Sequence, residues 1–416
     1  MPNQAITSVS FLEARTGKTC PSIQETLTFT QTEWGSNPII PSLYERTTWL
    51  DDNRLLYINP GGELAALTPC NDSIENWSTS LQDTPISFPY LPGLNTAQIL
   101  LKGEQAYWLL NPTTRQSVKL NLPIPPEDQT IYFAWSPGNE TLIASRLEER
   151  QSVLWIILER IDTSTGAALP VYEVEASPDL QFMVPMGAII EWVAKDKLLL
   201  FSTIIGYRLV DISSQPVQFT NLYPDLFKID TPSEGATISD CEQGTGNQDY
   251  HLFVGMGMVP NGKFYLYHAE SGLVDEFPFT THILLVFPNG ETVFAQNWVN
   301  EPSSADTVRV IYVDSSKESH DLIVKGHTPR ESAWLPEYVL PGAQQIVFSS
   351  NHGISLVDIE SGTLLNFWEL ENQDQYQDFN TMVSPDGKTV IGFPYQKGGP
   401  GEGNSPRAMY WLRLEP

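Results

Sequence analysis

Short apolar runs, rich in β-branched and aromatic residues, recur along the whole chain, and each is closed by Gly, Pro, Asn or Asp. Leu55–Ile58, Ala106–Leu110, Leu154–Leu158, Leu198–Phe201, Phe264–Tyr267, His282–Phe287, Val308–Val313 and Ile346–Phe348 are the clearest. Such runs read as strands. No long window carries a capped 3.6-residue period, so the pattern predicts an all-β chain. Two classes of turn punctuate it. Asp51–Asn53, Pro137–Asn139, Lys195–Lys197, Pro288–Gly290, Pro341–Ala343 and Pro385–Lys388 stand where a tight hairpin needs positive φ or a preset φ. One strand later come Asn111–Arg115, Asp162–Gly166, Asp211–Ser214, Ala269–Gly272, Asp314–Lys317 and Asp358–Gly362, which launch a fourth strand.

Aligning the copies gives eight units that begin near Thr47, Ile86, Ile131, Ala188, Ala236, His282, Ala333 and Phe379, about 46 residues apart. That length suits four antiparallel strands with their turns. The pattern predicts one domain over 1–416, an eight-bladed β-propeller, or seven blades if a weak copy merges with its neighbour. The second and fifth copies are the weak ones, because Ile86–Pro92 and Thr237–Cys241 make poor first strands. The third is long because Leu147–Asp162 extends a hairpin. The last unit supplies three strands, Asn380–Val383, Thr389–Phe393 and Met409–Leu414. An open seam would leave an unpaired edge. The N-terminal segment, 1–46, holds a spare strand, Ile6–Leu12, which the pattern assigns to the Met409–Leu414 sheet as the ring's closing strand.

At Trp135–Ser145 (WSPGNETLIAS) and Val383–Phe393 (VSPDGKTVIGF) the chain resembles the WD40-like, TolB-type propeller repeats of bacterial envelope proteins. In that family a Ser-Pro-Asp-Gly turn joins the first two strands of a blade. Six of the eight copies depart from it, so the resemblance is to a repeat style. It implies a propeller whose members include enzymes, binding modules and scaffolds.

Charge narrows the partners. The chain carries 50 acidic against 23 basic residues, a net charge of −27. Phosphate backbones and anionic membrane surfaces are therefore disfavoured, and duplex DNA binding is not expected. The acidity maintains solubility or draws a basic protein partner. No apolar run reaches the ~20 residues of a membrane span, and the first residues lack the basic and apolar regions of a signal peptide.

Candidate chemistry is sparse. Cys20, Cys70 and Cys241 have no paired metal spacing. Cys20 and Cys70 each follow a strand in regions that ring closure could bring together, which allows a disulfide; three unpaired thiols are the alternative. The six histidines lack ligand spacing, and there is no Gly-x-Ser-x-Gly elbow for a hydrolase. Calcium is the cofactor the acidic turns could hold, through Asp51 and Asp52 or through Asp374 and Asp378; the plain expectation is no cofactor. Carboxylates on or beside first strands, among them Glu191, Asp196, Asp240 and Glu337, would line a central funnel and could serve a glycan hydrolase or lyase. Trp49, Trp135, Trp192 and Trp334 occupy equivalent first-strand places and read as packing between blades, whereas Trp77, Trp298 and Trp368 are irregular and read as rim residues. Two Gly-rich stretches, 243–248 and 396–406, break the repeat. A protein ligand would be held by Trp298, Trp368, Gly398 and Gly399. The overall expectation is a non-enzymatic binding or scaffold module of the bacterial envelope or exterior, with an intracellular assembly platform and a glycan-cleaving propeller as alternatives.

Overall fold

The computed structural model describes residues 25–28, 45–59, 61–68, 73–77, 79–89, 97–126, 129–136, 140–175, 188–194, 196–202 and 205–221, then the strands named below and the turn 384–388. These residues contain no α-helix. They form eight four-stranded antiparallel sheets, seven of them built from consecutive strands.

Sheet one comprises Thr47–Asp51, Arg54–Ile58, Leu64–Thr68 and Ser73–Asn76. Sheet two comprises Pro85–Ser87, Ile99–Gly103, Tyr107–Leu110 and Ser117–Lys119. Sheet three comprises Tyr132–Trp135, Leu142–Arg150, Val153–Ile161 and Ala168–Glu175. Sheet four comprises Ile189–Ala194, Lys197–Ser202, Gly206–Asp211 and Gln218–Asn221. Sheet five comprises Thr237–Ser239, Tyr250–Met256, Phe264–His268 and Val274–Phe277. Sheet six comprises Ile283–Val286, Val293–Gln296, Thr307–Val313 and Ser319–Lys325, and sheet seven Leu335–Val339, Gln345–Ser350, Gly353–Asp358 and Thr363–Glu369. Sheet eight comprises Tyr376–Val383, Thr389–Gln396 and Ala408–Arg413, with Glu25–Thr28 added against the last of them.

Every sheet begins within a few residues of its expected start, and the weak second and fifth copies do have three-residue first strands, Pro85–Ser87 and Thr237–Ser239. One assignment is corrected. The fourth place in sheet eight belongs to Glu25–Thr28, paired as Leu27 with Met409 and Thr28 with Ala408, and not to Ile6–Leu12, which lies outside the described residues. A strand ending at Thr28 reaches Thr47 through a connection about half as long as one ending at Leu12, which lowers the entropy lost on closure.

The chain divides into two compact units, residues 1–78 with 283–416 and residues 79–282. In the first, Trp49, Leu55, Tyr57, Ala65 and Leu67 of sheet one pack on Ile391 and Phe393 of sheet eight. In the second, two apolar seams run between sheets. Leu100, Tyr107 and Leu109 of sheet two meet Phe133, Trp135, Leu142 and Ala144 of sheet three, with the Tyr107 and Phe133 rings 5.1 Å apart and tilted. The opposite face of sheet three, through Ala134, Ile143, Ile156 and Leu158, meets Ile190, Trp192, Leu198 and Val210 of sheet four. The Trp192 indole N–H crosses this seam to donate to the Ala134 carbonyl at 3.1 Å. Trp49, Trp135 and Trp192 are thus buried packing residues, as their repeat positions predict. Trp77 is buried as well, at 2% exposure, which corrects its reading as a rim residue: its N–H donates to the Leu64 carbonyl and ties it to sheet one.

The turns explain the punctuation. In the Ser-Pro turn of sheet eight, the Ser384 N–H donates to the Thr389 carbonyl, and the Ser384 hydroxyl accepts from the Thr389 N–H and donates to Asp386. Ser136 reproduces the pairing with Thr141. In the second class, Asn111, Asp162 and Asp211 each accept from backbone N–H groups two or three residues on, and the two aspartates also accept a serine hydroxyl. Short polar side chains stabilise turns in this way, and Asn or Asp at that place is the physical content of the repeat.

Candidate functional site

The feature that departs most from the repeat is the hairpin of sheet three. Its two central strands run nine residues each, whereas the first strand runs four, so Arg146 to Val153 extends past the partner strand. The two-residue turn at its tip has φ of 53° at Gln151 and 65° at Ser152, a left-handed pair that Asn-Gly usually fills.

Alternation along Leu142–Arg150 puts Arg146, Glu148 and Arg150 on one face, and register brings Glu159 and Glu173 to the same face. A continuous ion-pair chain results. The Arg146 guanidinium donates to Glu159 at 2.8 Å and also to Glu148. Arg150 donates to Glu148 at 2.6 Å and grips Glu173 with two parallel bonds of 2.8 and 3.0 Å. It also lies 5.5 Å from the centre of the Trp155 ring. Hydrogen bonds from Arg150 and then Arg146 hold the Glu148 carboxyl below its ordinary value, and Arg150 does the same for Glu173. Burial works against the Arg146 charge, but its bonds to Glu159 and Glu148 outweigh burial and hold its pKa above the usual value. Carboxylates held below their ordinary range are poor general acids near neutral pH, so what Glu148 and Glu173 offer here is charge and shape.

The other face of the same sheet ends differently. By register, Ala134, Ile143, Arg160 and Leu169 form one row of sheet three, and Trp192, Leu198, Val210 and Phe219 form the facing row of sheet four. Ala134, Ile143, Trp192, Leu198 and Val210 are buried, Arg160 is exposed, and the outer members, Leu169 and Phe219, are 60% and 49% exposed. Tyr172 packs beside Phe219 with ring centres 6.2 Å apart. The Arg208 guanidinium sits 4.7 Å from the Phe219 ring centre and donates to the Tyr172 hydroxyl at 3.2 Å.

Asp83, in the connection before sheet two, is a residue that sequence reasoning misses. Its carboxylate accepts from the N–H groups of Thr84, Gln105 and Ala106 and from the Trp108 indole N–H, at 2.9 to 3.3 Å. A Cβ on Gly103 would stand 2.3 Å from its Oδ2, so any side chain there must displace the carboxylate. Little in the local sequence marks Asp83, because its partners other than Thr84 lie more than twenty residues away in the chain.

The expected site residues are placed as follows. The Asp51 carboxylate accepts from the Asn53 N–H and from Arg54, with which it forms an exposed ion pair, and Asp52 is exposed in the same turn. Asp378 lies on the first strand of sheet eight opposite Tyr395, and Trp368 on the fourth strand of sheet seven opposite Ile354. Asp374, Trp298, Gly398, Gly399, Cys20 and Cys70 lie outside the described residues. Among the described residues, no three His, Cys, Asp or Glu side chains gather in a group able to hold a metal, and no helix is long and apolar enough to cross a membrane.

With the sheets and rims in view, the fold can be compared with solved structures. The Dos1 propeller superposes with a TM-score of 0.50 at 13% identity, over 87% of this chain and 90% of that one. The β-propeller domain of Myceliophteria thermophila Cps50 (Swd1) gives 0.46 at 12% identity, over 77% and 94%. Oligogalacturonate lyase in complex with manganese gives 0.45 at 11%, over 90% and 89%. The architecture is that of the β-propeller proteins. No family model and no curated protein matches the sequence, so the likeness is one of fold.

Proposed function

We propose that this chain is a non-enzymatic binding or scaffold module that holds a protein partner, built as one eight-bladed propeller whose ring is closed by Glu25–Thr28. The single observation that supports this reading is the sheet-three hairpin: a long projection that links Arg146, Glu148, Arg150, Glu159 and Glu173 in one chain of ion pairs, beside a rim that leaves Leu169 and Phe219 to solvent. Ion-paired, amphipathic surface of this kind suits recognition of another protein. The net charge of −27 favours a partner with a basic surface, which the chain would draw faster at low salt. The TolB-type resemblance favours the bacterial envelope or exterior as its place of work.

The test is quantitative cross-linking in cells that make the protein, combined with assay of the purified chain on oligogalacturonides and related glycans. One partner recovered in near-equal amount, associating faster as salt falls, is the expected result. Glycan turnover with no such partner would overturn the proposal in favour of a propeller lyase or hydrolase.

A further inference from the structure

We infer that the rim between sheets three and four is a docking site for an extended partner segment that carries one carboxylate flanked by apolar side chains. The inference rests on the protein-binding reading above and names the chemistry of the segment.

Three observations carry it. First, the apolar seam between these sheets does not stop at a polar border. It runs outward from Ala134, Leu158, Trp192 and Val210 to Tyr172, whose ring centre is 6.2 Å from that of the half-exposed Phe219, and Leu169, 60% exposed, lies on the same outer strand as Tyr172. Single exposed apolar residues are ordinary, but one that continues a buried seam, with a second on the facing outer strand, offers a ready extension of it. Second, the cations at this rim have no carboxylate partner among the described residues. Arg208 donates through Nη1 to the Tyr172 hydroxyl and lies over Phe219, while its buried Nε has no acceptor and no carboxylate pairs with it among the described residues. Arg160, in the same row as Leu169, is exposed and likewise forms no ion pair there. Third, this happens in a chain with 50 acidic and only 23 basic residues, whose neighbouring face saturates Arg146 and Arg150 with glutamates. Arginines left unpaired beside apolar surface, where carboxylates are abundant, mark charge complementarity to something outside the chain.

Arg208 is also held in place before any ligand arrives. The Phe219 ring and the Tyr172 hydroxyl fix the plane of its guanidinium, so little side-chain freedom remains to be lost when a carboxylate takes the planar fork. The apolar anchors of the segment would cover Leu169 and Phe219, and its carboxylate would meet Arg208, with Arg160 adding attraction. The acidic surface elsewhere selects against strongly acidic segments, which is why one carboxylate and not a run of them fits.

The experiment is selection of a phage-displayed library of random dodecapeptides on the full chain, with counter-selection on the Arg208→Gln/Phe219→Ala double variant. Peptides that pair a single Asp or Glu with Leu, Ile, Phe or Trp are expected. By fluorescence polarisation they should lose at least ten-fold in affinity on Arg208→Gln and on Phe219→Ala, and keep it on Ile124→Ala, which changes an exposed apolar residue elsewhere. Phe219 is half exposed, so its truncation leaves the fold standing, and matching melting curves check this. No enrichment over the double variant, or enrichment of basic peptides, would overturn the assignment. If the cellular partner is still captured by the double variant, the rim proposal fails while the binding-module reading survives.

Discussion

The Gly166 carbonyl accepts a hydrogen bond from the Asn121 N–H at 2.8 Å, tying the last turn of sheet three to the connection that leaves sheet two. One repeat earlier, the Arg115 carbonyl accepts from the Ser80 N–H at 3.2 Å. Gly166 and Arg115 occupy the same place, four residues after Asp162 and Asn111, and both have left-handed φ, 74° and 59°. These two copies therefore share a turn that latches onto the preceding connection, and of the two only the Arg115 turn accommodates a side chain. A Cβ on Gly166 would lie 1.9 Å from the Lys119 carbonyl oxygen.

Gly166→Ala is accordingly expected to destabilise the second unit by about 2 kcal/mol or more, through strain at positive φ added to a backbone clash. Arg115→Gly should change stability by less than about 1 kcal/mol, because the strain relieved is balanced by glycine's extra unfolded-state freedom. Thermal melts of the two variants check the contrast, and equal effects would contradict it.

Asp83 and Gly103 form a coupled pair. Asp83→Ala strands the N–H groups of Gln105 and Ala106 and the indole of Trp108, at a cost of about 2–3 kcal/mol. Gly103→Ala drives a methyl group against the Asp83 carboxylate. In the Asp83→Ala background that obstacle is gone, so a double-mutant cycle should show coupling of about 1 kcal/mol. Additive denaturant midpoints would refute the contact.

Stability should fall at both ends of the pH scale. Hydrogen bonds from Ser164 and then Thr165 depress the Asp162 pKa to about 2, and Glu148 and Glu173 are lowered by Arg150. Depressed carboxylates stabilise the fold above their unfolded-state pKa of about 4, and that stability is lost as pH falls toward the folded value. Asp162→Asn should flatten the melting temperature between about pH 4 and 2. Burial raises the Tyr107 pKa to about 12, so the fold resists its ionisation. A raised pKa gives stability that is complete below about pH 10 and lost as pH climbs toward the folded value. Phe at position 107 should remove that alkaline loss, and ultraviolet titration of tyrosinate would detect its absence.

The N-terminal strand gives a sharp truncation test. A chain lacking residues 1–12 should melt as the full chain does, whereas one lacking residues 1–28 exposes the Ala408–Arg413 edge and should lose several degrees. A drop already complete at the shorter truncation would return the role to Ile6–Leu12.

Much of this fold is legible because its signals are local. Alternation placed the strands, the Asn111, Asp162 and Asp211 turns bond to their own neighbours, and the Trp49, Trp135 and Trp192 positions repeat with the units. What the pattern misplaced depends on distant partners. Ile6–Leu12 and Glu25–Thr28 both alternate, and only the connection to sheet one separates them. Trp77 looks irregular because it follows a fourth strand, yet it is buried. The rim of Leu169, Tyr172, Arg208 and Phe219 joins two sheets, so no single stretch of sequence contains it. Asp83 reads as a plain loop acid until Gly103 folds beside it.

The pairing of Glu25–Thr28 with Ala408–Arg413 also sets an order of events during synthesis. About 380 residues separate Thr28 from Ala408, so at ordinary translation speeds of about 5–20 residues per second this strand waits roughly 20–80 s for its partner. Through that interval its Thr-Leu-Thr stretch is exposed to whatever else is nearby on the ribosome. Sheet eight therefore cannot be completed until Ala408–Arg413 has been made: a product stalled before that strand leaves Glu25–Thr28 without its partner.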